Sequence, residues 1–121
     1  MNKILIIEDE KELHEVIELY LEDMNLEITC AHCSHEARDL FRRTDYSLVL
    51  CDVYLGEGVS GIDLMHEIMN IRPTVKFILS SAFIPQLNTE YIGVNYKVSY
   101  LPKPFEEQEI RSLVSELLNS G

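Results

Sequence analysis

Five short apolar runs alternate with five amphipathic stretches along this chain, and that alternation limits the fold more than any other feature. The runs Lys3–Glu8, Leu26–Ala31, Leu48–Asp52, Val75–Ser80 and Val98–Leu101 are too short for helices and rich in branched side chains, so they predict strands. The stretches between them carry helical spacing. Leu13, Val16, Ile17, Tyr20 and Met24 form one stripe over Lys11–Met24, with Glu12, Glu15, Glu18 and Glu22 on much of the other face. Ser34 is the expected N-cap of a second helix, Glu36–Arg43, with Ala37, Leu40 and Phe41 inward. Ile62, Leu64, Met65, Ile68 and Met69 mark a third, which Arg72-Pro73 closes. A short fourth is expected over Gln86–Ile92. The last, Phe105–Leu118, turns Ile110, Leu113, Val114, Leu117 and Leu118 inward. The third run is apolar throughout, as a strand covered on both faces must be. The whole therefore predicts an α/β fold: a five-stranded parallel sheet with right-handed crossovers and helices on both sides.

A length of 121 residues fits one domain spanning 1–121. A net charge of −11 argues against binding nucleic acid, where affinity comes from lysine and arginine. It argues equally against anionic membrane surfaces. No apolar run approaches the roughly 18 residues of a membrane span. The N-terminus runs directly into a strand with no cleavable signal pattern, and three cysteines then read as reduced thiols, which points to the cytoplasm.

In an open parallel sheet, ligands bind outside the carboxyl ends of the strands. Here those ends carry Glu8-Asp9, Asp52, Ser81 and Lys103-Pro104. Three carboxylates, a hydroxyl and a lysine should thus converge, with Asp52 in the middle. Two carboxylates about 5 Å apart repel by roughly 3 kcal/mol at an effective dielectric near 20. Either one takes up a proton, or a divalent cation sits there. Hard oxygen ligands with room for water favour Mg²⁺.

These residues, in this order over the whole chain, resemble the receiver domains of two-component response regulators. The resemblance implies a flavodoxin-like doubly wound (βα)5 fold with strand order 2-1-3-4-5. It makes Asp52 the acceptor of a phosphoryl group from a sensor histidine kinase or phosphotransfer protein, in a signalling module that assists its own modification. Asp9 and Asp52 would ligate Mg²⁺, for which Mn²⁺ can substitute, together with the backbone carbonyl of Tyr54 and with Glu8 through water. Ser81 and Lys103 would contact phosphoryl oxygens. Ser81 and Tyr100 would form the switch, altering the surface built by the fourth helix, the fifth strand and the last helix. Lys103-Pro104 matches the family's cis peptide, a geometry that belongs to proline. A phosphorylation-dependent dimer is compatible with this reading; the output partner is open.

Several positions depart from the family. Proline four residues past the acceptor is Gly56 here. Glycine eight past is Ser60, with Gly61 next, so the loop is one residue longer and expected to be more mobile. Tyr54 and Phe83, two past the acceptor and two past the hydroxyl, are both aromatic and should lengthen the life of the phosphoryl group by restricting water. Cys30-Ala31-His32-Cys33 with His35 is too sparse for zinc: no second pair supplies further ligands. Cys51 reads as core. His14 and His66 read as solvent-facing.

Other classes fit less well. A phosphorylation-independent interaction domain on this fold typically loses the acidic pair, the acceptor or the lysine. A phosphohydrolase with an aspartyl nucleophile needs a second aspartate where Tyr54 stands. A flavin carrier would bring its phosphate against Glu8-Asp9-Glu10. Lys97-Val98-Ser99 before Tyr100 and an early Arg111 also lower the expectation of a winged-helix regulator. Asn119-Ser120-Gly121 follows the last helix, as expected of a stand-alone receiver or a piece of a longer regulator or hybrid kinase.

Overall fold

The computed structural model describes residues 1–56, 58–82 and 98–119. The expected helix at Gln86–Ile92, together with Phe83 and Lys97, lies outside the described residues. Five strands appear: β1 (Asn2–Ile7), β2 (Leu26–Ala31), β3 (Leu48–Asp52), β4 (Lys76–Ser81) and β5 (Val98–Pro102). The helices are α1 (Lys11–Tyr20), α2 (Ser34–Arg43), α3 (Gly61–Ile71) and a C-terminal helix (Glu107–Asn119). The strands form one sheet in the order β2-β1-β3-β4-β5, and every pairing is parallel. This is the doubly wound order expected from the sequence.

The sheet is sorted by the two-residue period of its strands. Leu5, Ile7, Val49, Cys51, Phe77 and Leu79 face α2 and α3, where Ala37, Phe41, Leu64, Met65, Ile68 and Met69 meet them. Ile4, Ile6, Leu48, Leu50, Ile78 and Leu101 face the other way, against Ile17 and Leu21 of the α1 region and Ile110 and Val114 of the C-terminal helix. Each such side chain gains about 1.5–3 kcal/mol from full burial. A one-residue slip of any strand would exchange its two faces, so the register is firmly specified. Ile7 is level with Cys51, Asp52 with Ser80, and Ser81 with Pro102. That register brings the carboxyl ends of β1, β3, β4 and β5 to one edge.

Three local expectations need correction. Helix α1 stops at Tyr20, because Leu21–Met24 turn and Asn25 adopts φ 58°, which an α-helix cannot continue. Ser34 is the first residue of α2 rather than its cap; Cys33 holds the cap position and offers no side-chain hydrogen bond. His14 is not solvent-facing but buried, at 3 % exposure. The stripe of α1 that faces inward is His14, Ile17 and Leu21, whereas Val16 is 37 % exposed. Leu13, Ile17, Tyr20 and Met24 of the expected stripe do pack against the core, so the apolar count found the face but passed over His14 within it.

Candidate functional site

The sheet edge assembles its acidic groups by backbone ties between strand ends. Glu8 N–H donates to the Ala31 carbonyl (3.1 Å), Val53 N–H to Ser80 (3.0 Å) and Lys103 N–H to Ser81 (3.1 Å). Glu8, Asp9 and Asp52 thereby bring carboxylate oxygens within 4.8 Å of one another. Lys103 crosses from the end of β5 into this group. Its Nζ lies 2.6 Å from Glu8 Oε1 and 3.3 Å from Asp52 Oδ2. Glu8 is buried, the Asp52 and Lys103 side chains are mostly covered, and Asp9 is exposed. Lys103-Pro104 is a cis peptide, as the sequence led one to expect.

The charges are unevenly matched. Three carboxylates against one ammonium leave a formal −2 at this edge. Burial pushes the pKa of Glu8 up to about 7; Lys103 works against that rise, and the neighbouring Asp9 and Asp52 add to it. Burial opposes the charge of Lys103 as well, yet Glu8 and Asp52 hold its pKa above the ordinary lysine value. A buried carboxyl raised in this way beside two other carboxylates marks a pocket short of positive charge. The donors are hard oxygens, so the cation that fits is Mg²⁺ rather than a soft metal. Asp9 and Asp52 would hold it, with Glu8 acting through water.

The loop after β3 shapes the exposed side of the site. Gly56 and Gly58 take φ +76° and +75°, a region that suits glycine. Val59 N–H donates to Gly56, Leu55 N–H to Val59, and Tyr54 pairs with Ser60 as an antiparallel bridge. A side chain on Gly56 would bring its Cβ 3.2 Å from Asp9 Oδ2, so the backbone itself lies against that carboxylate. A Cβ on Gly61 would stand 2.0 Å from the Asp52 carbonyl oxygen. Ser60 caps α3 by accepting the N–H of Ile62 at 3.1 Å.

Of the other residues singled out, Ser81 is buried at the end of β4. Tyr100 is half-buried against the cluster on the α2–α3 face. Tyr54 is 59 % exposed. Cys51 is buried, as expected for a core thiol. Two residues that bear on the site were missed in the sequence. His14 Nε2 donates to the backbone carbonyl of Glu8, a contact masked by reading His14 as solvent-facing. Gly61 was noted only as a displaced glycine; its need follows from the closeness of the Asp52 carbonyl.

With the site laid out, comparison with known proteins decides the family. The description "response regulator receiver domain" matches residues 4–115. The chain belongs to the response regulator receiver family. It is 27 % identical to the response regulator SaeR of Staphylococcus epidermidis over 98 % of this chain and 51 % of SaeR. It is 32 % identical to the response regulator protein PilR of Pseudomonas aeruginosa over 96 % of this chain and 26 % of PilR. This receiver chain thus spans about half the length of the first relative and about a quarter of the second. Among solved structures, the response regulator TrrA of Thermotoga maritima, in complex with Mg(2+)-BeF, superposes with TM-score 0.84 at 27 % identity, covering 97 % of this chain and 99 % of that one. A CheY-like receiver from Methanospirillum hungatei, at TM-score 0.88 and 21 % identity over 98 % and 94 % of the chains, supports the fold. Among the described residues, no helix is long and apolar enough to cross a membrane.

Proposed function

We propose that this receiver is a cytoplasmic phosphorylation switch in which Asp52 is the acceptor. Asp52 Oδ attacks the phosphorus of a phosphohistidine on a sensor kinase or phosphotransfer protein. A P–O bond forms, the P–N bond breaks, and the histidine leaves with its electron pair. Phosphoryl transfer of this kind depends on position and on neutralising charge. Asp9, Asp52 and the Tyr54 carbonyl would hold Mg²⁺, with Glu8 acting through water; when bound, the ion supplies charge for the phosphoryl oxygens. Lys103 already spans Glu8 and Asp52 and would exchange that pairing for a phosphoryl oxygen. Ser81, one register step past the level of Asp52, would donate to another. Its movement and that of Tyr100 would carry the change to the face around β5, where an output partner or a second receiver reads it.

The observation that carries this reading is the position of Lys103 Nζ, within 3.3 Å of the acceptor carboxylate in a group of three acids. The complex of the TrrA relative with Mg(2+)-BeF supports the same chemistry. Beryllium fluoride adds to a carboxylate as a tetrahedral mimic of a phosphoryl group, which gives a direct test. With Mg²⁺, ¹⁹F NMR of the wild type should show one bound fluoride species, and Asp52→Asn should show none. The same bound spectrum from both proteins would refute the assignment.

A further inference from the structure

Away from the acidic edge, chemistry-bearing side chains gather along the seam between α1 and the end of β2. His14 and Glu18 are one turn apart on α1 and share a face. Cys30 and His32 are two residues apart at the end of β2 and share a side. The two pairs meet rung by rung. The rings of His14 and His32 touch edge to face, with centroids 4.7 Å apart and planes at 75°. The Cys30 thiol donates to Glu18 Oε1 at 3.1 Å. Glu36 closes the group by accepting the N–H of His32 at 3.3 Å. Burial, then Glu18, then Glu36 push the Cys30 thiol up to about 12.

His14 is the part of this group that points to a ligand. It is buried, and its Nδ1 has no hydrogen-bond partner. A buried polar atom left unpaired costs about 1–3 kcal/mol. Its Nε2 faces the Glu8 carbonyl; a carbonyl only accepts, so Nε2 is the donor. Metal-bound histidines have this arrangement: one ring nitrogen donates to a carbonyl or carboxylate, and the other is left for the metal. His32 lies exposed beside it, its ring against that of His14.

We propose that His14, through Nδ1, and His32 bind a divalent transition-metal ion of the zinc class. Water completes the coordination, and Glu18 stays engaged with the Cys30 thiol. Imidazole selects such an ion, whereas the carboxylates at the sheet edge select Mg²⁺. Glu8 stands between the two sites, its carboxyl in one and its carbonyl fixing a ligand of the other. The zinc-class site rests on its own geometry and stands whether or not Asp52 is phosphorylated.

The test is a Zn²⁺ titration of the full chain in saturating Mg²⁺, followed by calorimetry and by long-range ¹H–¹⁵N NMR of the imidazoles. Wild type and Asp52→Asn should bind one Zn²⁺ alike, with ring nitrogens of His14 and His32 shifting. His32→Asn alters only an exposed side chain and should weaken binding by about tenfold or more. Unchanged affinity in His32→Asn would overturn the proposal. So would loss of binding in Asp52→Asn, or shifts confined to His35 and His66.

Discussion

Glu8 shows how a single side chain can set the pH response of the site. Its carboxyl is raised from an ordinary value of 4.5 to about 7, chiefly by burial. A carboxyl with a raised folded-state pKa contributes stability below its unfolded value and loses it as pH rises through the folded value. Without a cation, that contribution should therefore fade between about 4.5 and 7. A cation held beside this carboxyl favours its charged form, so Mg²⁺ affinity should climb over that window and then level. Glu8→Gln should flatten the climb. Calorimetric Mg²⁺ titrations across this range will decide it, and a wild-type profile as flat as the variant's would contradict the assignment. Tyr54 works at the same scale. Its ring is exposed beside the acceptor strand, where it can obstruct an attacking water. Tyr54→Asn should hasten loss of the phosphoryl group from Asp52, measured as the decay of labelled protein after removal of the donor; an unchanged decay would rule the ring out.

Among the elements, the loop from β3 into α3 constrains the acceptor most tightly. Gly61 opens α3 with its Cα packed on the Asp52 carbonyl, and backbone has little room to yield. Gly61→Ala should cost about 2 kcal/mol or more through overpacking. Gly58 has open space around it and φ +75°, so Gly58→Ala should cost about 1 kcal/mol from its left-handed backbone alone. Urea denaturation of the two variants compares them directly, and equal losses would mean that the contact with Asp52 carries no strain. This loop also marks where the sequence stopped being readable. The strands were legible because period two and full burial leave a strong pattern, as in Leu48–Cys51. The acidic edge followed from the strand ends. The pairing of Gly56 with Asp9 was not legible, since it depends on two positive φ angles and cross-loop hydrogen bonds that no spacing encodes. The burial of His14 was hidden for a related reason. His14 is polar, so a count of apolar residues passed over the centre of the buried stripe.

At the scale of the molecule, two apolar clusters clamp the sheet from opposite sides, and its carboxyl edge carries the acidic group. The parallel register brings Glu8, Asp9, Asp52, Ser81 and Lys103 to one edge of the sheet. The Lys103 N–H to Ser81 carbonyl bond joins the ends of β4 and β5. The central claim is that this edge accepts a phosphoryl group on Asp52. The most direct measurement is reaction of the chain with acetyl phosphate and Mg²⁺, with the adduct located by fragment mass spectrometry. The account predicts one adduct, on Asp52, lost on chelation of Mg²⁺ and absent from Asp52→Asn. An adduct at another residue, or equal labelling of the wild type and Asp52→Asn, would contradict it.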